Sequence, residues 1–361
     1  MIVPLFRQHV YPDNINRQIH GLRGLSAFIV FVFHIYGIAD EWHFWPARLA
    51  ELEFFFRMGR HGVEIFFIIS GYLITASLLR HQNAGRFLID RAIRLYPVFL
   101  TIQLLVFALG PIVGYRWFAG IGVGAWITAF FSNLLFLPGI FALPLAQPSA
   151  WSLSYEAAFY LISAGLYMIA RRAGGFAAGV VGCLIVAPLI FRYPNAVFFL
   201  VGVATYFLRH RIAETVPGAV RRSSSLAFIA ALVLQTIGES FPAIDILAAL
   251  PAFLFFASIV NGRCALSKFL RRDFFQYMGT ISYSFYLWFG VVTYPIKLLI
   301  VKFLLGRFDM VWLVALFAIT AFIASVLVAQ ASNVLLEVRL GRWLRSRTRR
   351  RPAAALPGTA A

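Results

Sequence analysis

The stretch Ile19-His20-Gly21-Leu22-Arg23-Gly24-Leu25-Ser26-Ala27-Phe28-Ile29-Val30-Phe31-Val32-Phe33-His34 decides the reading of this chain. It sets an arginine at the mouth of a long apolar run and a histidine eleven residues further in. At ~100° per residue, eleven residues bring a helix almost back to the same face, and a rise of ~1.5 Å per residue separates the two cations by roughly 16 Å. An ionisable residue inside a membrane-spanning helix is costly, which makes His34 a candidate functional residue. The structural alternative is a packing histidine bonded to a neighbouring helix. Arg23 taken alone reads as a cytoplasmic anchor.

The apolar character extends along the whole chain. Of 361 residues, 61% are hydrophobic and 13% are charged, against about 25% charged in a soluble domain. Apolar runs long enough to cross a bilayer recur near 22–40, 61–79, 95–114, 151–170, 174–191, 195–208, 224–241, 243–260, 276–296 and 310–335. The expected fold is all-α: a polytopic integral membrane protein of ten spans, the first of them uncleaved. It is flanked by a cytoplasmic N-terminal arm at 1–21 and a basic, disordered cytoplasmic tail at 341–361, with the membrane domain at 22–340.

The net charge of +18 has a topological reading. Basic residues gather at alternate span ends, from Arg17 and Arg23 through Arg91, Arg94, Arg171 and Arg209 to the tail, which places both termini in the cytoplasm. Because these residues flank spans and form no nucleic-acid-binding pattern, nucleic acid is not an expected partner. Arg94 and Arg171 both fall inside, so an even number of crossings must separate them. The glycine-rich apolar segment 120–143 is therefore expected to be re-entrant or to lie on the outer face. Lys297, Lys302 and Arg307 fall outside, against the charge rule, as an interfacial amphipathic segment or through a misplaced span boundary. Cys183 and Cys264 have no metal-ligand spacing, so no metal site is expected.

Four further constellations carry chemistry. In His61-Gly62-Val63-Glu64, the histidine and glutamate are three apart and face one way; a few residues on, Ser70-Gly71 suits close helix packing. Arg91 and Arg94 are neighbours on one helix face. Their forks suit phosphate oxygens, or else lipid headgroups and topology. Glu156 lies inside a span with Ser152 and Tyr160 four residues to either side. Such a carboxylate could orient a histidine, bind a sugar hydroxyl, act as an acid, or form a structural ion pair. Tyr283 and Tyr286 line a polar cavity or belong to an interfacial aromatic belt.

These segments, in this order, resemble the acyltransferase 3 family of bacterial integral-membrane acyltransferases. Arg23 and His34 match its arginine-x10-histidine signature. Gly62, Val63, Phe66, Phe67, Ser70 and Gly71 resemble its second motif. Arg91, Arg94, Tyr96 and Pro97 resemble its third, and Trp151-Ser152-Leu153-Ser154-Tyr155-Glu156 its fourth. The resemblance implies a ten-span enzyme of the bacterial inner membrane, with 22–340 as its acyltransferase domain. It would transfer an acyl group, acetyl above all, from acyl-coenzyme A to a hydroxyl of an exported or cell-surface glycan or lipid-linked sugar. It implies His34 as general base with Glu156 and Arg23 in the catalytic set. Arg91 and Arg94 become coenzyme A ligands, and Ser70, Tyr160 and Tyr283 substrate contacts. No permanently bound cofactor is implied. Two positions depart from the pattern: Phe289 stands where members often carry a histidine, and Glu337 lacks the proline that usually follows. A secondary transporter of a glycan or lipid precursor, and a non-catalytic membrane partner, are the rival readings.

Overall fold

The computed structural model describes residues 16–349, except Trp42, Phe44, Ala119, Glu239, Ser240 and Pro242. The expected N-terminal arm up to residue 15 and the tail from residue 350 lie outside the described residues. Residues 17–21 of that arm already belong to the first helix, and Gly341–Arg349 of the expected disordered tail are helical.

The chain is an all-α polytopic membrane protein. Its helices are α1 (Arg17–Glu41), α2 (Gly62–His81), α3 (Ala84–Val113), α4 (Val123–Leu134) and α5 (Trp151–Arg192). They continue as α6 (Val197–Thr215), α7 (Gly218–Ile237), α8 (Ala243–Val260), α9 (Asp273–Phe303), α10 (Met310–Ser332) and α11 (Gly341–Arg349). A π-helical segment, Asn333–Leu340, joins the last two. Local signals set several ends. Asn16 Oδ1 accepts from the backbone of Gln18 and Ile19 at 3.1 and 3.2 Å, satisfying donors that open α1. Asn83 Oδ1 does the same for Arg86 at 2.9 Å, and Gly114, at φ 62°, closes α3.

Among the described residues, seven stretches are long and apolar enough to cross a membrane. Two physical features separate that number from the ten expected. Gly174, at φ 88° and ψ 166°, kinks α5 within one continuous stretch, so two expected spans merge. Helices α6 and α7 carry Arg209, Arg211, Glu214, Arg221 and Arg222 toward their facing ends, which dilutes their apolar character. Helix α4 has 12 residues and reaches about 18 Å, short of a ~30 Å hydrocarbon core. One boundary is corrected. Helix α9 continues to Phe303, so Lys297 and Lys302 belong to its last turns and not to a separate interfacial segment, which is the span-boundary alternative of the two expected.

The core forms where α1 packs on α9 and α2, and α2 packs on α6. Glycines let these backbones touch. A Cβ on Gly24 would stand 2.2 Å from the Phe275 carbonyl oxygen, and one on Gly279 would stand 2.3 Å from that of His20. A Cβ on Gly71 or Gly202 would likewise stand 2.1 Å from the carbonyl oxygen of Phe199 or Ile68. Small residues at such crossings drive helix association in lipid, and here they also draw the adjacent Arg23 and Ser70 into the helix interfaces. Gly202→Ala is expected to destabilise the protein by about 1–3 kcal/mol, read as a lower melting temperature after detergent extraction. Gly165→Ala, where a Cβ meets nothing within 4 Å, should leave it unchanged.

Candidate active site

The turn between α2 and α3 fixes the arginines. Gln82 adopts φ 53° and Asn83 caps α3, so the chain reverses tightly. His81 Nε2 then lies 2.6 Å from Asp90 Oδ2, and His81 Nδ1 lies 2.8 Å from the Ser77 carbonyl. This clasp holds the first turns of α3 against the end of α2. Arg91 and Arg94 consequently face inward.

Helices α1, α2, α3, α5 and α9 converge on a cavity of about 80 Å³. Its polar wall includes Arg23, Arg91, Arg94, Ser70, Glu156 and Tyr283. Five segments far apart in sequence are thereby brought together. Glu156 is held by hydroxyls: Ser70 Oγ donates to its Oε1 at 3.1 Å, and Tyr160 OH donates to the same oxygen. Tyr160 therefore supports the carboxylate from one turn further along α5. Ser152 instead pairs with Tyr286 OH at 2.8 Å. Tyr283 OH donates to the Leu95 carbonyl at 2.7 Å, tying α9 to the arginine helix.

The guanidiniums are much less satisfied. Among the described residues, no hydrogen bond or ion pair joins Arg23 or Arg94 to a protein group. Arg91 reaches the Ser77 hydroxyl only at 3.5 Å, and its Nε is buried without a partner. The charges of Glu156 and Glu337 both act on Arg23 and Arg94. Three cations thus face one carboxylate within the cavity, and a buried charge calls for a counter-charge. The arrangement suits an anion with several oxygens.

His34 lies elsewhere. It lines a second cavity of about 410 Å³, with Glu41, Tyr115, Phe289, Thr293, Tyr294 and Lys297 among its neighbours. The sequence set Arg23 and His34 on one stripe of α1, and the structure places them in two chambers arranged end to end along α1 and α9. Aromatic rings packed edge-on or tilted form the partition. The Tyr286 and Phe289 rings lie 6.1 Å apart, Phe66 packs on Tyr286 at 5.8 Å, and His34 packs on Phe289 at 4.9 Å. His34 Nδ1 lies 2.9 Å from the Val30 carbonyl. A carbonyl only accepts, so Nδ1 carries a proton, and in the neutral imidazole Nε2 then has the lone pair. No described hydrogen bond joins Glu156 to His34, so the option that this carboxylate orients the histidine is not realised.

Two other groups find their places. His61 Nδ1 lies 3.0 Å from Glu64 Oε1, and Gln235 bridges Glu64 to Asp245 at 3.0 and 2.8 Å. This buried network ties α2, α7 and α8 together at the end of α2 remote from the arginines. Glu337 accepts from Ser284 Oγ at 2.6 Å, behind the cavity wall. Its π-helical segment has no simple sequence signature, although such bulges are frequent at functional sites.

A family model described as an acyltransferase domain matches residues 16–330. The chain belongs to the acyltransferase 3 family. It is thus an acyltransferase, the class the motif order implies. Among relatives of this acyltransferase, the exopolysaccharide production protein ExoZ of Rhizobium meliloti (strain 1021) is 26% identical over 265 residues, covering 64% of this chain and 76% of ExoZ. The provisionally named membrane-bound transacylase BcsY of Komagataeibacter xylinus is 32% identical over 168 residues, 42% of this chain and 37% of BcsY. A provisionally named O-acetyltransferase of Staphylococcus aureus (strain COL) is 25% identical over 339 residues, 77% of this chain and 51% of its own. No solved structure matches the chain. In this acyltransferase the aromatic Phe289, where members often have a histidine, lies directly against His34.

Proposed function

We propose that this acyltransferase moves an acyl group, acetyl foremost, from acyl-coenzyme A in the cytoplasm to a hydroxyl of an exported or cell-surface glycan. The observation that carries this reading is the trio Arg23, Arg91 and Arg94 around one carboxylate, with two of the guanidiniums unpaired. Coenzyme A supplies phosphates that guanidinium forks bind bidentately. Glu156 offsets part of the positive charge, holds Ser70 on the cavity wall and is itself braced by Tyr160. Tyr283 holds the wall beside Arg94.

The protein sits in the bacterial inner membrane with ten spans and both termini cytoplasmic. The two limbs of α5 count separately, and α6 and α7 complete the number. Helix α1 then runs outward, so the arginine chamber faces the cytoplasm and the His34 chamber faces outside. With its phosphates at the arginines, the donor extends its thioester toward the aromatic partition. The acceptor enters the outer chamber. His34 Nε2 takes the proton from the acceptor hydroxyl as its oxygen bonds to the thioester carbonyl carbon. The tetrahedral intermediate collapses by breaking the carbon–sulfur bond, and the coenzyme A thiolate leaves with the ester formed. General-base catalysis contributes about 10²–10⁴-fold, and holding the two reactants in register contributes further. The roughly 16 Å between Arg23 and His34 along α1 assigns Arg23 to donor binding and keeps it away from the carbonyl that His34 serves.

The test gives inverted membrane vesicles acetyl-coenzyme A labelled on the acetyl group. Label in the glycan fraction that depends on this protein is the expected result. Equal label in vesicles lacking the protein contradicts the proposal.

A further inference from the structure

Lys297 is one of three cations, with Lys302 and Arg307, that run against the charge rule, and the structure gives it a setting. It lies near the outer end of α9, 4% exposed, on the wall of the His34 chamber. Its ammonium stands 3.8 Å from Glu41 Oε2, at the limit of an ion pair. The two partners differ sharply, with side-chain exposure of 5% for Lys297 and 72% for Glu41. The carboxylate can swing into water at little cost. The ammonium stays on the chamber wall, where an acidic ligand can take the carboxylate's place.

The rest of the chamber is built like a carbohydrate seat. Its volume of about 410 Å³ falls in the range of small-ligand pockets. Tyr115 and Tyr294 meet edge to face at 4.8 Å, and Phe33 and Phe289 line the same chamber. Aromatic faces of this kind present apolar area beside polar edges, as a sugar ring requires. Lys297 is eight residues from Phe289, about 12 Å along the helix. A group held at Lys297 therefore lies on the same glycan unit as the hydroxyl beside His34, or on the adjacent one.

We infer that the outer chamber selects an acidic glycan, with Lys297 pairing a sugar carboxylate that displaces Glu41. This rests on the reading of the chamber as the acceptor site, and it adds the charge class of the acceptor and the residue that reads it. Glu41 then acts as the resident stand-in anion that a neutral sugar fails to displace.

The experiment measures binding without donor, so that it stands apart from transfer. Protein in lipid nanodiscs is titrated calorimetrically with trigalacturonate and with trigalactose. A charge-assisted hydrogen bond predicts a preference for the uronate of at least about tenfold. Lys297→Met should abolish the preference, Lys297→Arg should retain it, and Glu41→Gln, which removes the competing carboxylate, should increase it several-fold. Equal binding of the two probes, binding of neither, or a preference that survives Lys297→Met overturns the inference. Acetyl transfer to the bound uronate is read separately on the same samples. Selective binding without transfer leaves the anion site standing and contradicts the acceptor assignment.

Discussion

His34→Ala lowers the turnover number for acyl transfer by about 10²–10⁴-fold, the usual contribution of a general base, while leaving the KM for acyl-coenzyme A nearly unchanged. The split follows from the two chambers. His34 has its Nδ1 on the Val30 carbonyl and its ring against Phe289, and it does not line the arginine cavity. Removing it takes away the basic nitrogen and leaves the donor contacts in place. An interaction felt only in the transition state lowers kcat without raising KM. The measurement is steady-state transfer at matched protein level, with both parameters resolved. A rise in donor KM at unchanged kcat would assign His34 to binding instead.

Arg94→Met gives the opposite signature. The KM for acyl-coenzyme A rises by roughly 10–150-fold, the value of one charge-assisted hydrogen bond, and kcat holds. Arg94→Lys recovers only part of the loss, because an ammonium is a point charge without the planar fork that matches phosphate oxygens. The structure also predicts the stability of this variant. Glu156 keeps its bonds from Ser70 and Tyr160, and no described ion pair is broken. The melting temperature should therefore hold or rise, since one of three crowded cations is gone. A large fall in melting temperature with donor KM unchanged would make Arg94 structural.

Much of this architecture is legible in the sequence, for identifiable reasons. Long apolar runs report membrane spans because lipid leaves no alternative partner for backbone groups. Gly71 reads as a close-packing residue, and it does meet the backbone of α6. His61 and Glu64, three apart, do bond. Periodicity reports what shares a helix face, so it places Tyr160 beside Glu156. It does not report which helices meet. The gathering of Arg23, Ser70, Arg91, Arg94 and Glu156 around one cavity is tertiary information, reached in sequence only through a family resemblance. The same limit explains His34: a shared stripe with Arg23 says nothing of the aromatic partition that α9 inserts between them. Lys297 runs against the charge rule because that rule treats every lysine as solvated at a span end, whereas this one lies within a longer helix and turns into a chamber. Glu337 was weakly marked because a π-helical segment shifts the register by which periodicity would place it.

The central claim is that donor and acceptor occupy chambers open to opposite sides of the membrane. The most direct measurement uses sealed vesicles of both orientations, each given labelled acetyl-coenzyme A from outside only. The account predicts acetylated glycan from inverted vesicles, with the product in the vesicle lumen, and none from right-side-out vesicles. Transfer in right-side-out vesicles, or product on the same side as the donor, would contradict it.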